Sequence, residues 1–100
     1  MKITKDAEKL EFYFNENITA PIVKDLKEEI KETLEQNNEY NHVVANLSEV
    51  DYIDSTGITL IIGIYKSVEE SGKKLTVTGA REEIKNLFSI IRLDEIFTVQ

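Results

Sequence analysis

The chain has no cysteine, which excludes a disulfide framework and any thiolate metal site and makes a reducing compartment its natural setting. Histidine occurs once, as His42, so a nucleophilic-serine mechanism has only one place to find its base. Gly57, Gly63, Gly72 and Gly79 are scattered, without the Gly-x-Gly-x-x-Gly or Walker spacing that gathers backbone amides around phosphates. No nucleotide or other cofactor is expected. Long apolar runs are missing too: the longest, around Ile58 to Tyr65, is far short of a bilayer span, and Met1-Lys2-Ile3-Thr4-Lys5-Asp6 becomes charged too soon for a signal peptide. Basic residues are few, 12 Lys and Arg against 19 Asp and Glu, for a formal charge of −7. That balance weighs against a nucleic-acid partner and against unassisted adsorption to an anionic membrane. The expectation is a soluble cytoplasmic protein, without membrane insertion, whose partner is a protein or a small molecule.

What is present suffices for one core. A hundred residues, 41% of them hydrophobic, make one ordinary domain spanning 1–100. An edge-side strand is predicted around Met1 to Thr4. Leu10-Glu11-Phe12-Tyr13-Phe14 alternates as a half-buried strand does. After the turn Asn15-Glu16-Asn17, Thr19-Ala20-Pro21 reads as a cap followed by proline in the first helical turn. Ile22, Val23, Leu26, Ile30 and Leu34 form the apolar stripe of that helix, and Gln36-Asn37-Asn38 stops it. His42-Val43-Val44-Ala45-Asn46-Leu47 has the composition of an inner strand, with Ser48 to Tyr52 leading on from it. A second helix carries Ile58, Ile61, Ile62, Tyr65 and Val68 on one stripe, widened by Leu60 and Ile64, and ends at Ser71-Gly72. Lys74-Leu75-Thr76-Val77-Thr78 alternates again. Thr78-Gly79-Ala80-Arg81-Glu82-Glu83 offers a cap and an acidic first turn to a third helix bearing Ile84, Leu87, Phe88 and Ile91. A last extended piece holds Ile96, Phe97 and Val99. The order predicts an α/β fold with a mixed, mostly parallel sheet of about five strands and three or more helices.

The feature that calls for explanation is Tyr52-Ile53-Asp54-Ser55-Thr56-Gly57-Ile58. A polar turn interrupts apolar sequence and opens straight into a helix, at the strand edge where such sheets place functional groups. Unpaired amides and the macrodipole make a helix start hospitable to an anion or to a covalently attached phosphate. Asp, Ser and Thr are also the preferred caps, so a purely structural role competes. One cap needs one acceptor, however, and three stand together, which frees at least one hydroxyl. His42 begins the strand whose other end leads toward Ser55, roughly 20 Å away for some six residues. It reads as a solvated strand-start residue, and a hydrolase triad is not expected; the glycine a nucleophile elbow needs two residues before the serine is also absent. The glutamates Glu28, Glu29, Glu32, Glu69, Glu70, Glu82 and Glu83 share helix faces with lysines, the pattern of solvated surfaces rather than of a metal site.

With this order of elements and this motif, the chain resembles a STAS domain, the family of bacterial anti-sigma factor antagonists. Val43-Val44-Ala45-Asn46-Leu47-Ser48-Glu49-Val50, Gly72-Lys73-Lys74-Leu75, and Leu87-Phe88 with Leu93 and Ile96 extend the resemblance over nearly the whole length. The resemblance implies that Ser55, the serine directly after the aspartate, is phosphorylated by a partner that is both serine kinase and anti-sigma factor, and that a serine phosphatase resets it. It further implies a non-catalytic switch: the unmodified form binds the anti-sigma factor and frees a sigma factor, and the phosphorylated form is released. Asp54 would position Ser55 or cap the helix, and Thr56 ranks second as acceptor. The implied partner surface is Asp54, Ser55, Thr56, Gly57 and Ile58 with Glu16, Asn17 and Thr19 beside it, a turn that is otherwise an ordinary polar connection. Two positions depart from the family pattern: Asn15-Glu16-Asn17 replaces a glycine-acidic turn, leaving Glu16 as the stand-in for an aspartate, and Arg92 occupies a usually small position. The family also supplies unmodified accessory subunits to lipid-transport and stress-signalling complexes, which stands as the alternative.

Overall fold

The computed structural model describes residues 1–37 and 39–100. It contains strands β1 (Lys2–Asp6), β2 (Lys9–Tyr13), β3 (His42–Asn46), β4 (Lys74–Thr78) and β5 (Thr98–Val99), with helices α1 (Ala20–Gln36), α2 (Ser55–Glu70) and α3 (Glu82–Ile90) and a 3-10 turn at Leu93–Glu95. The strands lie side by side in chain order, β1 antiparallel to β2 and every later pair parallel. This is the mixed, mostly parallel sheet expected from the alternation of strands and helices.

Parallel register aligns Leu10 with Val43 and Leu75, and Phe12 with Ala45 and Val77. Because side chains alternate between faces, these rows point the same way, and together with Val23, Leu26 and Ile30 of α1, Leu60, Ile61, Ile64 and Val68 of α2, and Ile84 and Phe88 of α3 they form one core. Burying each of the larger side chains among them contributes about 1.5–3 kcal/mol. Val44 and Thr76 are shielded on the opposite face, outside that core. There Asn46 donates to Glu11, and His42 Nε2 lies 2.7 Å from Thr76 Oγ1. His42 is therefore half-buried and bonded across the sheet, not solvated. The reason is the parallel register, which sets Thr76 two residues beyond its partner Lys74, on the face His42 shares.

Helix α1 ends where Asn37 turns its own side chain back onto the Thr33 carbonyl; Asn38, read with it as the stop, lies outside the described residues. Helix α2 ends at Gly72, whose φ of 73° is open to glycine without strain. The stripe expected on α2 is rotated. Full burial falls on Gly57, Leu60, Ile61, Ile64 and Val68, while Ile58, Ile62 and Tyr65 flank it half-buried. Further on, Ile91 and Ile96 are exposed rather than core: Ile91 is already past the end of α3, and Arg92 at φ 63° turns the chain away. No side chain caps α3, because Thr78 is still paired in β4 and Ala80 is buried; Glu82 and Glu83 supply the negative charge at its start instead. Among the described residues no helix is long and apolar enough to cross a membrane.

Candidate functional site

Since β2, β3 and β4 run in one direction, the connections after them all emerge at one edge of the sheet. Residues 14–19, 47–54 and 79–81 meet there. Phe14 N–H donates to the Asn46 carbonyl at 3.1 Å and Leu47 N–H to the Thr78 carbonyl at 2.8 Å, extending the ladder just past the strands. The first two connections then pair with each other: Ile18 N–H donates to Tyr52, Asp54 N–H donates to Ile18, and Ile18 and Ile53 form a parallel bridge. Ile18 and Ile53 are both buried, which pins this extra strand pair to the core. Asn17 adds a bond pattern that sequence reading missed. Its side-chain oxygen accepts the N–H groups of both Asp51 and Tyr52, at 2.9 and 3.0 Å. On the third connection, Arg81 reaches Asp51 at 3.0 Å and also pairs with Glu83.

The carboxylate of Asp54 stands at the centre. One oxygen accepts the Gly57 N–H at 2.8 Å, the N-cap bond of α2. The other accepts the Ala20 N–H at 2.9 Å, in the first turn of α1. A single side chain thus satisfies orphan amides of two helices. Those two bonds, Gly57 first and Ala20 second, hold the carboxyl below its ordinary titration range. Thr19, expected to cap α1, occupies the N-cap position without a side-chain capping bond. Nothing in the local sequence around α1 foretells the substitution of Asp54 for it, because the two are 34 or more positions apart.

Ser55 is the first residue of α2 and is exposed, as is Thr56. With Asp54 as the cap, the serine hydroxyl is not needed for that task. Gly57, by contrast, is buried beneath the surface. A Cβ there would overlap the Ile18 carbonyl oxygen and come within 2.6 Å of Ile53 Cγ1, so its hydrogen is what lets α2 lie directly on the paired connections. Ile58 is half-buried against the core. Glu16 and Asn17 are exposed and Thr19 half-buried on the neighbouring connection. The residues singled out from the sequence therefore converge on one edge, but not all on its surface: Asp54 and Gly57 build the platform, and Ser55, Thr56 and Glu16 are presented on it.

A sheet in this order with a serine displayed at the start of the helix after its central strand defines a class. The sequence model of the STAS domain matches residues 1–100, and the chain belongs to the STAS-domain family. Among curated relatives, the anti-sigma-B factor antagonist of Staphylococcus epidermidis is 39% identical over 57 residues, 57% of this chain and 53% of that protein, and the one from Staphylococcus aureus is 35% identical over the same length and shares. The match thus spans about half the length of these relatives. Among solved structures, a candidate anti-sigma factor antagonist of Thermotoga maritima superimposes with a TM-score of 0.90 at 22% identity, covering 98% of this chain and 83% of that one. The anti-sigma factor antagonist SpoIIAA in its unphosphorylated form gives 0.77 at 12% identity, covering 99% and 86%. At such identities these structures establish the shared fold.

Proposed function

We propose that residues 1–100 act as one STAS domain whose task is to antagonise an anti-sigma factor. In this reading the unmodified protein binds an anti-sigma factor that is also a serine kinase, and so frees a sigma factor for transcription. The kinase then transfers the terminal phosphoryl group of its nucleotide to Ser55: the Oγ–phosphorus bond forms, the bond to the departing nucleoside diphosphate breaks, and the hydroxyl proton is lost. The modified protein leaves, and a serine phosphatase restores the hydroxyl. The domain itself performs no catalysis and works in the cytoplasm.

The observation that carries this reading is the exposed Ser55 at the start of α2 with its capping duty already discharged by Asp54. A phosphate at that point adds about −1.5 to −2 charges and three acceptor oxygens. The helix start tolerates them in water, where amides and dipole favour negative charge. A partner packed over the same spot has to desolvate them, which ejects it. The names of the Staphylococcus relatives support the antagonist role. Incubating the protein with its cognate anti-sigma kinase and radiolabelled ATP tests it. Stoichiometric label on the wild type and none on Ser55→Ala is the expected result; full labelling of Ser55→Ala overturns the site.

A further inference from the structure

Tyr52 opens the motif and has no role in the reading above, yet it is the most conspicuous side chain near Ser55. Among the described residues four large hydrophobic side chains are exposed: Tyr52, Ile90, Ile91 and Ile96. The last three follow the descending helix α3 to the edge of the sheet remote from Ser55, since α3 starts where β4 ends. Tyr52 alone stands on the edge that displays the serine, and it is 58% exposed.

Its backbone is held unusually firmly for a connecting segment. The Tyr52 N–H donates to Asn17 Oδ1 at 3.0 Å, its carbonyl accepts the Ile18 N–H at 3.1 Å, and the next residue, Ile53, is buried and bridged to Ile18. A phenol ring on a fixed mount loses only two side-chain torsions on binding, so ordering it costs little for the large area it covers. Aromatic side chains so placed are the usual centres of interface energy. The surroundings give the facing surface its charge. Glu16, Glu49 and Asp51 are exposed around this edge, and its cation, Arg81, is engaged by Asp51 and Glu83.

We infer that Tyr52 is the anchor of the partner interface, seated in an apolar pocket of the anti-sigma factor that is rimmed by lysine or arginine. The inference rests on the reading of Ser55 given above and extends it by naming the residue that supplies binding energy, as distinct from the residue that is modified. Ser55, three positions on, then lies just inside the desolvated area, where a phosphate cannot be accommodated.

The test uses the full chain and the purified anti-sigma-B factor homologue of its own source organism. Calorimetry compares wild type, Tyr52→Ala, Tyr52→Phe and, as a control on the remote edge, Ile90→Ala. Tyr52→Ala should weaken binding at least about 30-fold, as loss of an aromatic hot spot does. Tyr52→Phe should retain most of the affinity, Ile90→Ala all of it, and raising the salt should weaken wild-type binding. All four should melt alike, because both side chains are exposed. If wild type is bound and labelled on Ser55 while Tyr52→Ala binds equally well, the anchor is wrong and the switch stands. If wild type is neither bound nor labelled, the switch is wrong and the anchor falls with it.

Discussion

The amide of Ala20 donates to the carboxylate of Asp54 at 2.9 Å, so the residue beside the displayed serine closes the first turn of a helix that begins 34 positions earlier. With its second oxygen on Gly57, it fixes the starts of α1 and α2 relative to each other.

Loss of this carboxylate should therefore be felt twice. Asp54→Ala leaves both amides without their acceptor and should lower Tm by roughly 5–10 °C at pH 7. Asp54→Asn should lower it less, because one carbonyl oxygen still serves Gly57 while the amide nitrogen cannot accept from Ala20. The pH dependence has a defined sign. The folded carboxyl titrates below its ordinary range, so its contribution is complete above about pH 4 and disappears as the pH falls through the folded pKa. Melting curves should show the gap between wild type and Asp54→Asn narrowing in acid; a gap that widens would contradict the bond pattern.

Gly57→Ala should be among the most damaging single changes at this edge. The added methyl meets the Ile18 carbonyl and Ile53, both part of a buried backbone pair that cannot swing aside. A loss of about 3 kcal/mol is expected from overpacking of this kind, measurable by urea unfolding. Partner affinity should fall with it, since α2 must move to relieve the overlap.

Ser55→Ala separates the two roles a serine can have at a helix start. Were it the cap, its removal would cost about 1 kcal/mol. With Asp54 capping, denaturant midpoints of Ser55→Ala and wild type should agree within about 0.5 kcal/mol. In binding assays Ser55→Ala should stay associated with the anti-sigma kinase, and Ser55→Asp should bind at least about tenfold more weakly.

Arg92 holds φ 63°, a conformation that disfavours any residue with a Cβ by roughly 1 kcal/mol. Arg92→Gly should raise stability by up to about 1 kcal/mol in thermal unfolding, and Arg92→Val should lower it.

Periodicity made most of the fold legible. The alternation at Leu10, Phe12 and Phe14 and the spacing of Val23, Leu26 and Ile30 are local signals, and the structure places all six in the core. The rotation of α2 was not legible, since it depends on Gly57 resting against Ile18, a contact between separate connections. The same holds for the site. Ser55 stood out because hydroxyls and carboxylate crowd one turn, but Asn17 clasping Asp51 and Tyr52 and Asp54 replacing Thr19 are long-range bonds without a sequence period. Arg92 was conspicuous only as a large residue in a usually small position, and its left-handed backbone supplies the physical reason.

The parallel course of β2, β3 and β4 has a consequence for cells that carry several proteins of this architecture. On the function proposed here, recognition is written on short connections along one rim, while most of the hydrophobic packing lies behind it. Such a layout lets residues such as Glu16 diverge among paralogues without cost to folding, so that separate signalling circuits can be kept insulated from one another on an unchanged scaffold.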